Sequence, residues 1–148
     1  MKTIVSIIFL FLVSIGYGQS PAITFEALPQ KLAARPRPIL IKIHATWCAV
    51  CRIQDKKIEK DAELQKLLRD ECYFLELDAE DRKTIRFNNT EYRFLGSGTG
   101  GMHSLAAAMA NPKDGYPTWV LLDAGYNFVG KYSGLVEAEQ LKELLKQD

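Results

Sequence analysis

Along this chain, short runs of nearly continuous hydrophobic residues alternate with stretches in which apolar positions recur every three or four. Ile39-Leu40-Ile41-Lys42-Ile43-His44-Ala45 is apolar at most positions, rich in β-branched residues and opened by Pro38, which predicts an interior strand covered on both faces. From Cys48 the period changes. Val50, Ile53 and Ile58 stand among charges and predict a helix, and Asp61 reads as the N-cap of a second one carrying Leu64, Leu67 and Leu68 on one face. Tyr73 to Leu77 predicts the next strand, closed by Asp78. Ile85-Arg86-Phe87 and Tyr92-Arg93-Phe94 flank Asn88-Asn89 and predict a small hairpin. Gly96 to Gly101 reads as a loop, followed by a short helix from His103 to Ala110 that Asn111-Pro112 stops. Thr118 to Leu122, a turn at Asp123-Ala124-Gly125 and Tyr126 to Tyr132 predict an antiparallel pair. After Gly134 comes a closing helix with Leu141, Leu144 and Leu145 on one face. Ahead of all this, Ser20 to Pro38 holds four prolines and admits at most a short helix through Phe25 to Leu32. The order is strand, helix, strand, insert, strand, strand, helix, with residues 79 to 116 as the insert. That order predicts one α/β domain with a mixed sheet.

The first residues have a different character. Met1 to Gly18 carries one early charge at Lys2, an apolar run from Ile4 to Ile15, then Gly16 and Gly18. This is the layout of a secretory signal peptide. A helix of that run reaches about 18 Å against about 30 Å of hydrocarbon, too short to span comfortably. The expected division is therefore a signal peptide over 1–19 and a domain over 20–148, periplasmic or secreted, with membrane contact only if the segment is retained. No cysteine follows the run to accept a lipid.

Composition narrows the function. With 148 residues, 47% hydrophobic and 25% charged, the chain supports a single self-sufficient core. Lys and Arg number 19 against 18 Asp and Glu, so no net field exists to hold a nucleic acid. Three cysteines are too few for a disulfide-built scaffold, which turns attention to their chemistry.

Two of them form Trp47-Cys48-Ala49-Val50-Cys51, at the end of a predicted strand where a helix begins. Cysteines at i and i+3 share a helix face at a separation a disulfide accepts. The free N–H groups of a first helical turn favour a thiolate, so Cys48 is the expected nucleophile and the more exposed of the two. Cys51, one turn deeper, can attack a mixed disulfide and release the partner. As a staple the pair would do little, because closing four residues removes loop entropy worth only about 2 kcal/mol. A structural disulfide or half a metal site are the alternatives to a catalytic dithiol. Cys72 opens an apolar strand and reads as a small buried hydrophobe, with intermolecular pairing as its alternative.

These residues resemble the thioredoxin-like superfamily, over about residues 36 to 147. The matching stretches are ILIKIHATWCAVCR at 39 to 52, the strand closing at Asp78, Tyr116-Pro117-Thr118 before WVLLD, and Gly130 to Gly134 before the last helix. The break near Lys60-Asp61 and the Trp-Cys-x-x-Cys sequence look closest to exported members, such as the thioredoxin domain of periplasmic disulfide-interchange reductases. The resemblance implies a central mixed sheet flanked by helices, with an insert before the cis-proline strand. It implies that Pro117 is cis beside Cys48, that Tyr116 offers its backbone to an extended substrate, and that Trp47 borders the nucleophile. A trans proline opening a strand and a core aromatic are the plainer alternatives for Pro117 and Trp47.

The implied function is an exported thiol–disulfide oxidoreductase acting on protein disulfides, as a reductase fed by an upstream redox protein, with no bound cofactor or metal. A disulfide oxidase or isomerase, and a copper-handling or non-catalytic binding module, are the alternatives. One departure stands out. Thioredoxins commonly place a buried carboxylate six residues before the first cysteine, and here Lys42 holds that position. A partly buried ammonium would favour thiolate and make the couple more oxidising; a side chain snorkelling to solvent would do neither. Gly96-Ser97-Gly98-Thr99-Gly100-Gly101 matches a dinucleotide fingerprint in letters only, lacking the buried strand before it and the full crossover helix after it. His44 and His103, the only histidines, are the other conceivable soft-metal ligands.

Overall fold

A computed structural model describes residues 20–146. Residues 1–19, on which the signal-peptide reading falls, lie outside the described part. Among the described residues no helix is long and apolar enough to cross a membrane.

The apolar runs become a four-stranded sheet. Its strands are β1 (Ile39–His44), β2 (Tyr73–Asp78), β7 (Thr118–Leu122) and β8 (Phe128–Ser133), in the order β2-β1-β7-β8. β1 lies parallel to β2 and antiparallel to β7, and β8 returns antiparallel to β7. A parallel pair needs a crossover, supplied by α2 (Ala49–Lys60) and α3 (Ala62–Asp70). Asp61 separates the two helices as expected, its side chain accepting the N–H of Leu64 at 2.9 Å. The outer edge of β2 is bridged by Ile23, and β8 forms the other edge.

Strand alternation divides the core. Ile39, Ile41 and Ile43 face one layer with Leu75, Leu77, Val120 and Leu122, covered by Phe25 and by Leu28 of α1 (Leu28–Ala34). Leu40, Phe74 and Trp119 face the other, against Ile58, Leu64, Leu68 and, from α5 (Ala138–Lys146), Leu141. Both faces are therefore dry, which is why β1 reads as a continuous hydrophobic run. Lys42 shares its face of β1 with Leu40.

The insert packs into the first layer: Ile85, Phe87, Leu105, Ala106 and Ala110 all belong to it. A hairpin forms as β3 (Ile85–Phe87) and β4 (Thr90–Tyr92), its return strand two residues earlier than the expected Tyr92-Arg93-Phe94 because the turn takes only Asn88 and Asn89. Asn88 and Asn89 adopt φ 47° and 60° between them, the double left-handed turn that matches strand twist. The glycine stretch is a correction to the sequence reading. It builds a second hairpin, β5 (Phe94–Ser97) with β6 (Gly100–His103), turning at Gly98 with φ 58°. Gly101 is needed there, because at φ 158° a Cβ would run into the Leu95 carbonyl and the Phe94 ring. His103 caps α4 (Ser104–Met109), its Nδ1 accepting the Leu105 N–H at 3.2 Å while Nε2 lies 3.0 Å from the Lys83 carbonyl. α1 begins three residues later than the Phe25 to Leu32 expectation.

Candidate functional site

β1 ends at His44 and the chain turns through Ala45, Thr46 and Trp47, the Cys48 N–H donating to the Ala45 carbonyl at 3.0 Å. That turn places Cys48 at the N-cap of α2. Its Sγ accepts the backbone N–H of Cys51 at 3.1 Å, so the sulfur occupies the place of a capping oxygen, against the positive end of the helix. Cys48 and Cys51 are joined as a disulfide with Cα atoms 5.3 Å apart. Both residues are buried, Cys48 5% exposed and Cys51 2%, so the expected difference in exposure exists but is small.

Three other expected residues converge on this pair. The Tyr116-Pro117 peptide is cis, Pro117 is buried, and the Tyr116 carbonyl oxygen lies 3.6 Å from Cys48 Sγ. Trp47 is 64% exposed, which removes the core-aromatic alternative. Its ring meets Tyr116 edge-on at 5.9 Å, a favoured aromatic geometry. Val50 and Ile53, one turn apart on α2, are also exposed. Arg52 donates to the Thr46 carbonyl at 3.2 Å.

The sequence reading missed Glu80. Immediately after β2, its Oε1 accepts the Trp47 indole N–H at 2.9 Å. The connection is fixed locally: the Glu80 N–H donates to Asp78 Oδ1 at 2.9 Å and the Ala79 N–H to the His44 carbonyl at 2.7 Å. Burial, then the charges of Glu80 and Asp78, push the Tyr116 hydroxyl above its usual range. Nothing in the sequence marked Glu80, since its partner lies 33 positions away.

Lys42 corrects the snorkelling alternative. Its side chain is 1% exposed, so it does not reach solvent, and its ammonium is already engaged. Nζ pairs with Asp55 of α2 and with Glu76 of β2, the latter at 2.5 Å. One cation between two carboxylates leaves a net negative group. The ammonium from which an oxidising influence is expected thus has two carboxylates beside it. Asp55 stands at i+4 from Cys51 and so on the same helix face. Gln54 beside it is fully buried and grips Val136 twice: Nε2 donates to the Val136 carbonyl at 3.0 Å and Oε1 accepts its N–H at 2.8 Å.

Cys72 is buried and free, its thiol 3.6 Å from the Leu68 carbonyl. Burial pushes it up to about 12, as suits the packing role expected of it. His103 is buried in the insert with its ring nitrogens occupied as described. Among the described residues no three His, Cys, Asp or Glu side chains gather in a group that could hold a metal ion.

A family model described as thioredoxin-like matches residues 21–124. The chain belongs to the thioredoxin-like family. Solved structures share the fold of this thioredoxin-like chain at low identity. A thioredoxin-fold protein from Helicobacter pylori is 17% identical, with a TM-score of 0.57 over 88% of this chain and 74% of that one. The germline-specific thioredoxin Deadhead of Drosophila melanogaster is 16% identical, with a TM-score of 0.56 over 86% and 97%. The C-terminal domain of Neisseria meningitidis DsbD, in its reduced form, is 16% identical, with a TM-score of 0.52 over 82% and 90%. No curated protein matches the chain. Membership of the thioredoxin-like family together with the Cys48–Cys51 pair supports thiol–disulfide oxidoreductase activity.

Proposed function

We propose that the protein is an exported reductase of protein disulfides. The observation that carries this reading is the Cys48 sulfur, held at the N-terminus of α2 by the Cys51 N–H and set beside the carbonyl of Tyr116, whose ring packs on exposed Trp47. In the reduced protein that N–H and the helix end favour the thiolate of Cys48. The thiolate attacks one sulfur of a substrate disulfide, forming a mixed disulfide and releasing the first substrate thiolate. Cys51, brought to its thiolate by loss of a proton, attacks Cys48 Sγ. The internal disulfide closes, the second substrate thiolate leaves, and two electrons have passed to the substrate. Tyr116 and Pro117 offer main-chain contact to the extended substrate, and Trp47 a docking surface. An upstream dithiol protein must then return two electrons to the pair.

The reductive direction is supported by the charges around the pair. Lys42 is neutralised by Asp55 and Glu76, Ala49-Val50 carries no charge, and Glu80 faces Trp47. Nothing in that set stabilises the thiolate beyond the helix end itself, and a reduced form without extra stabilisation makes the couple reducing.

The test is the equilibrium potential of the Cys48/Cys51 pair against glutathione and dithiothreitol, with insulin reduction measured alongside and Cys48→Ser as the inactive control. A potential near about −270 mV supports a reductase, and one near about −120 mV replaces it with a disulfide donor. Export rests on the layout of Met1 to Gly18. Intact mass of the protein from the cell-envelope fraction tests it: loss of about the first 18 or 19 residues is expected, and full-length protein in the cytosol overturns it.

A further inference from the structure

The insert begins and ends against Trp47. At its start Glu80 accepts the indole N–H at 2.9 Å, and at its end Tyr116 packs edge-on against the same ring. The base of the second hairpin is tied to the same place, the His103 N–H donating to the Ala79 carbonyl at 2.7 Å. Glu80 is exposed, and its Oε2 accepts no hydrogen bond among the described residues. Beside the dithiol the surface is therefore apolar at exposed Trp47 and anionic where the insert joins it, with Asp78 behind Glu80 and Arg52 turned to the Thr46 carbonyl on the helix side.

Resting on the reading of the pair as a protein-disulfide reductase, we propose that Glu80 determines substrate specificity. One carboxylate oxygen positions the Trp47 indole, and the other meets a cationic side chain that the substrate carries beside its disulfide. Such a residue selects disulfides flanked by Lys or Arg over those flanked by Asp or Glu. An exposed ion pair is modest in strength, so the expected preference is about fivefold.

The experiment uses protein reduced beforehand, in single turnover, so that no upstream donor is needed. Its substrates are two synthetic peptides, each closed by one disulfide and identical except for two Lys or two Glu beside the cysteines. At low ionic strength the wild type oxidises faster on the Lys peptide. The ratio falls toward one near 1 M salt, where charges are screened within about 3 Å. Glu80→Gln, which keeps an acceptor for the indole, brings the ratio to about one, and Glu80→Lys inverts it. A merely structural role for Glu80 would lower both rates together and leave the ratio and its salt dependence alone. Equal rates in the wild type, or a preference that survives in Glu80→Gln, overturn the specificity assignment while leaving the reductase intact. No oxidation by either peptide overturns the reductase reading and this one with it.

Discussion

Two of the three cysteines sit at the start of a helix and the third lies beside the end of another, and that difference separates their chemistry. Cys48 caps α2 and faces a free N–H; Cys72 faces the Leu68 carbonyl in the last turn of α3. All three are buried to a similar degree. Burial alone therefore does not make a cysteine inert. What separates them is a donor: the Cys51 N–H meets the Cys48 sulfur and favours its thiolate, whereas Cys72 has no such donor among the described residues and burial pushes its thiol up.

The sharpest way to break the contrast is native alkylation of the reduced protein. With Cys72 pushed up to about 12 against about 8.5 for an ordinary thiol, its thiolate fraction near neutral pH falls by about three orders of magnitude. Iodoacetamide should label Cys48 rapidly and leave Cys72 unlabelled until the protein is unfolded; comparable rates would dissolve the distinction. Next in size is Lys42→Met. It strands Asp55 and Glu76 without their cation, and because both carboxylates are partly exposed, about 1–3 kcal/mol of stability is expected to go. The couple should become more reducing by no more than about 30 mV. A larger shift in the same direction would show that Lys42, and not the helix end, is the main influence on Cys48.

Smaller still is Cys72→Ala. Loss of a packed sulfur should cost about 1 kcal/mol in chemical denaturation and leave disulfide turnover unchanged. The smallest effect concerns Asp61, the carboxylate at the N-terminus of α3. The hydrogen bond from Lys142, then the Leu64 N–H, hold it below the usual carboxylate range. Its folded pKa is depressed, so its stabilisation is present above the ordinary range and is lost as the pH falls through the depressed value. Asp61→Asn keeps a capping oxygen, so the melting temperature near neutral pH should fall only slightly while its acid-side decline becomes shallower. An unchanged acid decline would mean that other carboxylates carry it.

The parts of this picture that are local in sequence were legible there. The β1 run, the i, i+3 spacing of the cysteines, Asp61 as a break between helices, and the Asn88-Asn89 turn each depend on neighbours within a few residues. The second hairpin was not legible, because glycine carries no strand preference. Gly98 and Gly101 instead supply the backbone angles the hairpin requires. The site divides in the same way. Cys48, Cys51 and Trp47 stand together in the chain, and Tyr116-Pro117 came with the family resemblance. Lys42's partners stand 13 and 34 positions from it and Glu80's indole 33 away. A lysine in a strand cannot announce, by pattern alone, that two carboxylates will close over it.

The grip of Gln54 on Val136 spans 82 positions and carries a consequence of timing. A chain emerging with its N-terminus first has both cysteines out long before Val136 arrives. They can join early, being one turn apart, but the grip on the helix at Gln54 is not made until Val136 has been delivered. Contacts so distant in sequence form late, because the intervening chain must first be ordered. The dithiol is thus complete in sequence well before the last of the contacts beneath it can form.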